Sequence, residues 1–74
     1  MEQGKVAYNI TAVRDRRIRA GISGMAMAKV MGINIPTYYK KEAGQIKWSL
    51  SESKFLADFF KTTIEDLFFE QKIS

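Results

Sequence analysis

The chain has 74 residues, 46% of them hydrophobic and 27% charged, with no cysteine and no histidine. That length allows one small domain with a thin core, and the missing residue types exclude disulfides, thiolate metal sites and histidine acid–base chemistry. The net charge of +4 is uneven, with nine Lys/Arg against three Asp/Glu in residues 1–47 and three against five in residues 48–74, so the first part suits a polyanionic partner.

The opening MEQGKVAYNI lacks the apolar stretch of a signal peptide, and no apolar run is long enough to span a bilayer. The expectation is a soluble cytoplasmic protein with no membrane partner. Residues 1–8 show no clear period and read as a flexible N-terminal arm, with Val6 and Tyr8 able to pack down. Asn9 is placed to cap a first helix running to about Ala20, with Ile10, Val13 and Arg17 on one face. Arg14, Arg16, Arg17 and Arg19 make this the most basic segment, and Arg16 and Arg19 read as a solvated face.

After Gly21-Ile22-Ser23, the stretch SGMAMAKVMGINIPTYYKKEAG (residues 23–44) predicts two short helices joined by a tight turn. Ser23 is a natural N-cap, and Met27, Ala28 and Met31 share one helical face. Gly32 tolerates the positive φ that ends a helix, Ile33 plugs the corner, Asn34 caps the next helix and Pro36 suits its first turn. In that second helix Tyr38, Lys41 and Glu42 share one side, while Pro36, Tyr39, Lys40 and Ala43 share the other. In the loop from Gly44 to Trp48, Ile46 and Trp48 are expected to fold inward. Ser49 with Glu52 forms a capping-box pair that opens a fourth helix with Leu50, Leu56, Ala57 and Phe60 inward. Thr63 with Asp66 opens a short fifth helix carrying Ile64, Leu67 and Phe68. Residues 70–74 read as a frayed end. The expected fold is all-α, five short helices around one core with no strands, the domain spanning residues 9–69.

Ala28, Gly32 four residues on and then the large Tyr38 resemble the helix-turn-helix of the Cro/CI-type (Xre-like) regulators. The resemblance runs from about Ile10 to Phe69 and includes the ending TTIEDLF. It implies a lambda-repressor-like domain that binds double-stranded operator DNA, with recognition helix 35–43 in the major groove. The face it implies for base edges is Asn34, Ile35, Pro36, Tyr39 and Lys40, with Lys40 the best single candidate. Thr37, Lys41, Gln45 and Lys47 are implied phosphate contacts, and Arg14 and Lys5 add electrostatic attraction. It also implies an ion pair between Arg17 and Glu42, tying the first helix to the third.

Two features depart from the family. Its first motif residue, usually a glutamine that clamps a phosphate, is Gly24 here. The outer face of the second helix, usually polar, offers Met25, Ala26 and Val30. With Ile35, Pro36 and Tyr39 they form an apolar patch of the kind that marks a protein interface, methionine being adaptable there. Two functions follow as alternatives. One is a sequence-specific DNA-binding regulator of a temperate-phage lysis–lysogeny switch, a Cro-like repressor in a bacterial host cell. The other is an antirepressor that grips a partner phage repressor through the patch and alters its DNA binding. Phe55 and Phe59, four residues apart, and Phe69 either enlarge the core or form the face of a homodimer.

No catalytic constellation is present in the sequence. The neighbouring carboxylates Glu65 and Asp66 fall at a helix start, where the dipole favours them, and no glycine-rich phosphate loop follows a strand. The expectation is a protein without enzymatic activity, cofactor, metal or small-molecule substrate.

Overall fold

The structure, a computed structural model, describes residues 6–71. Its elements run β1 (Val6–Tyr8), α1 (Ala12–Arg19), α2 (Gly24–Met31), α3 (Ile35–Glu42), α4 (Leu50–Phe59), α5 (Ile64–Phe68) and β2 (Phe69–Gln71). Residues 1–5 of the expected arm, Lys5 among them, and residues 72–74 of the expected frayed end lie outside the described residues.

Local side-chain caps decide where most of the helices begin. The Ser23 hydroxyl oxygen accepts from the Ala26 N–H at 3.0 Å, and Asn34 Oδ1 accepts from the Thr37 N–H at 3.1 Å. Ser49 and Glu52 cap each other, the serine oxygen accepting from the Glu52 N–H at 3.1 Å and Glu52 Oε1 from the Ser49 N–H at 2.8 Å. Each such bond satisfies a backbone donor that the first turn leaves without an intrahelical acceptor. Thr63 accepts from the Asp66 N–H at 3.0 Å. Asn9 differs from its expected role. The residue before α1 is Thr11, and Asn9 Oδ1 instead accepts from the Thr11 N–H and hydroxyl at 3.2 and 3.1 Å. The Asn9 N–H donates to Phe68 O at 2.7 Å, so the residue ties the start of the domain to α5.

That tie continues as a two-stranded antiparallel ribbon, with Val6 opposite Gln71 and Tyr8 opposite Phe69. The reading without strands is therefore corrected. Residues 6–8 are paired rather than a loose arm, and residues 69–71 are a strand rather than a helix end and a frayed tail. Three-residue strands are too short to show alternation in sequence, and a ribbon this small needs support from packing. Tyr8 supplies some of it, its ring stacked on Phe68 at 5.8 Å and edge-on to Phe69 at 5.6 Å.

The core gathers Ala12 and Val13 from α1, Met27 and Ala28 from α2, Tyr38 from α3, Leu56 and Ala57 from α4, and Leu67 and Phe68 from α5. Trp48, Phe60, Ile33 and Ile64 pack around it half-buried. Two apolar residues expected inside are outside, Leu50 at 79% exposed and Ile46 at 40%, and Ile10 is 53% exposed. Leu50 has the azimuth of Ala57, one heptad on, but it stands on the first turn of α4, where Trp48 already covers Tyr38 edge-on at 5.8 Å. Ile10 precedes α1 and lies across Gly44, where a Cβ would come within 2.9 Å of its Cγ2. Among the described residues no helix is long and apolar enough to cross a membrane.

Candidate nucleic-acid interface

The inner side of α3 is fixed by charge. Arg17 donates from Nε to Glu42 Oε2 at 2.7 Å and from an Nη to Oε1 at 3.2 Å, a two-pronged pair in which both side chains are largely buried. Its other Nη donates to Ile22 O at 2.9 Å, and the Tyr38 hydroxyl donates to Glu42 Oε2 at 2.5 Å. Glu42 thus joins α1 to α3, and Arg17 ties both to the turn before α2. The hydrogen bonds to Glu42 raise the Arg17 pKa further above its ordinary value. Burial, with the hydrogen bond to Glu42 and its charge, pushes the Tyr38 phenol well above its ordinary range.

With Tyr38 and Glu42 facing in, Ile35, Pro36, Tyr39, Lys40 and Ala43 face out. Asn34 is exposed, but its Oδ1 is engaged in the helix cap, which leaves its amide N–H groups for any ligand. Thr37 is half-buried beside it. Tyr39 and Lys40 share a hollow of about 430 Å³ with Arg14 and Gln45, above the Arg17–Glu42 pair. Arg14 is only loosely engaged, 4.0 Å from Asp15 and more than half exposed.

Lys41 does not belong to this surface. Its ammonium donates to both carboxylate oxygens of Glu52 at 2.7 Å and lies 5.9 Å from the centre of the Trp48 ring. Its expected phosphate contact is corrected, because Glu52 holds it against α4. Burial disfavours the Glu52 carboxylate, but the bonds from Lys41 and from the Ser49 backbone and hydroxyl outweigh it and hold its pKa below the usual value. Lys47 is exposed and lines a hollow with Trp48 and Leu50.

The outer face of α2 joins this surface. Met25 is 59% exposed and Val30 51%, while Ala26 is half-buried. Met25, Ala26, Lys29, Asn34 and Ile35 border a hollow of about 570 Å³. Tyr39 reaches over the start of α2, where a Cβ on the buried Gly24 would overlap Tyr39 Oη, Cζ and Cε1. The phenol occupies the space a side chain at position 24 needs. The sequence carries no sign of this, because the two residues are far apart along the chain and the ring comes from the neighbouring helix.

Phe55 and Phe59 stack at 6.0 Å, both partly exposed, and Phe59 meets Phe60 edge-on at 5.1 Å. Phe69 lies against Tyr8 in the ribbon. Compared with models of known protein families, with curated proteins and with solved structures, the chain matches none.

Proposed function

We propose that this protein is a helix-turn-helix regulator of the Cro/CI type that binds double-stranded operator DNA in the manner of a Cro-like repressor of a temperate-phage switch. What supports the reading above all is the two-sidedness of α3. Its inner side is locked by Arg17, Glu42 and Tyr38, and its outer side is left to Ile35, Pro36, Tyr39 and Lys40. A helix held so firmly and exposed along one face suits insertion into a major groove. Lys40 takes guanine acceptors or a phosphate, and Ile35 and Pro36 meet thymine methyls. Gln45, Arg14 and Thr37 position the backbone, and Lys29 adds charge from α2. Selection from a random duplex pool, followed by titration at two salt concentrations, tests this. Enrichment of one site is expected, with affinity falling steeply as salt rises. Lys40→Ala weakens that binding by roughly tenfold or more. No enrichment and no binding at micromolar protein would exclude the reading.

A second reading is favoured by one observation, the exposed apolar run of Met25, Val30, Ile35 and Tyr39 with Tyr39 filling the place of the family's phosphate clamp. On it the same surface grips a partner repressor and modulates that repressor's DNA binding. Met25→Glu then abolishes regulation while Lys40→Ala spares it, the reverse of the DNA reading.

A further inference from the structure

The hollow that Lys47 shares with Trp48 and Leu50, about 600 Å³ in volume, has no part in either reading of the α2–α3 surface. Five elements wall it: Tyr8 comes from β1, Lys47 and Trp48 from the loop before α4, Leu50 from α4, Phe68 from α5 and Phe69 from β2. The walls are braced from behind. Tyr8 stacks on Phe68 at 5.8 Å, and Phe69 meets Tyr8 edge-on at 5.6 Å. Trp48 lies edge-on to Tyr38 at 5.8 Å, with the Lys41 ammonium 5.9 Å from its ring. The Ser49–Glu52 capping box fixes the turn that carries Leu50. A preformed concave site of this size, mostly aromatic and with few polar groups, suits a small molecule.

The polar groups narrow the ligand's chemistry. Lys47 is the one charged residue among the described residues that line the hollow. It makes no ion pair among the described residues. Ser53 also lines the hollow, but its hydroxyl donates to Ser49 O at 2.9 Å, so it offers only lone pairs and cannot hold an anion. An acidic group therefore goes to Lys47. The apolar body goes to the rings, which favour a flat partner that continues their stacked and edge-on geometry. We propose that this hollow binds a planar aromatic carboxylate, with its rings against Tyr8, Trp48 and Phe68 and its acid group on the Lys47 ammonium. The site stands whichever macromolecule α2 and α3 meet.

Trp48 is the chain's only tryptophan, so its indole N–H gives a single signal in a nitrogen–proton NMR titration. The probe is β-naphthoate, with β-naphthylmethanol as its neutral counterpart. The acid is expected to shift the Trp48 indole and the backbone signals of Lys47, Leu50 and Phe69 saturably. It binds about fivefold tighter than the alcohol, the size of an exposed charge pair. Lys47→Ala removes that preference, while Arg19→Ala, an equal loss of charge on the exposed part of α1, keeps it. Leu50→Glu replaces an apolar wall with a carboxylate and weakens β-naphthoate by at least about tenfold. Leu50 is outside the core, so that variant keeps the parent's helical circular dichroism and melting temperature. No saturable shift up to millimolar acid overturns the proposal. So does an alcohol that binds the parent as tightly as the acid, or a preference that survives Lys47→Ala. A Trp48 signal that moves with protein concentration before any probe is added also overturns it, because a second copy then covers the hollow.

Discussion

Behind α3 the molecule buries charge; behind α5 it buries apolar side chains. Arg17, Glu42 and Tyr38 form a hydrogen-bonded cluster beneath α3. Under α5 lie Leu67 and Phe68, and the side-chain polar bonds described at that end are local, such as Thr63 to Asp66 and Lys54 to Asp58. Apolar packing is non-directional and tolerates small shifts, whereas a forked arginine–carboxylate pair fixes distance and angle. The directional device sits beneath α3, the helix proposed to be aimed at DNA. The non-directional one sits where the chain only needs closing.

The hardest blow to this contrast is Arg17→Met. It leaves Glu42 buried with only the Tyr38 hydroxyl, and breaking such a pair from one side is expected to destabilise by about 3–5 kcal/mol. In a domain this small that lowers the melting temperature by roughly 15 °C or more. Adding Glu42→Gln, which removes the stranded charge, recovers part of the loss. A melting temperature equal to the parent's would mean that the cluster is not what holds α3.

A smaller effect sharpens the seam between the halves. Glu52 is depressed in the folded state, so its contribution is fully present above the ordinary carboxylate value of 4.5 and is lost as pH falls through the lower folded value. Glu52→Gln keeps a capping-box acceptor but loses the charge facing Lys41. It is expected to lower stability by about 1 kcal/mol at neutral pH, and the difference from the parent should vanish in acid. Tyr38 governs the opposite limb. Its raised phenol pKa withdraws stability as pH climbs past 10, where the unfolded chain ionises and the folded one resists. Denaturant midpoints across pH check both limbs, and a parent–variant gap independent of pH would remove Glu52 from the seam.

What the sequence disclosed, and what it hid, follows from range. Ser23, Asn34, Ser49 and Thr63 are legible because a cap bonds an N–H three residues on, within the reach of a local pattern. That Tyr38 and Glu42 share a side of α3 is legible from the helical period. The Arg17–Glu42 pair came from the family resemblance, since no pattern local to either residue singles out the other across 25 positions. Lys41 to Glu52, the ribbon and the phenol over Gly24 join residues on different elements, and nothing near either partner announces the other. Leu50 misled because periodicity gives direction around a helix but not where along it the neighbours end.

The finest test compares how the two halves end their helices. After α2, Gly32 adopts φ 72° and the Ile33 N–H closes on Ala28 O at 3.0 Å. After α4, Lys61 adopts φ 57° and the Thr62 N–H closes on Ala57 O at 2.8 Å. The closures are alike, but only one uses the residue suited to a left-handed backbone. A side-chain-bearing residue there is strained by about 1 kcal/mol, and glycine's greater freedom in the unfolded chain offsets part of any relief. Lys61→Gly is therefore expected to add about 0.5 kcal/mol, a rise of a few degrees in melting temperature. Gly32→Ala should take away about 1 kcal/mol, and through the backbone alone: a Cβ there meets nothing within 4 Å. Opposite signs for the two changes would show that handedness sets both helix ends. A loss in Lys61→Gly would instead mean that the exposed lysine side chain stabilises α4 more than its backbone strains it.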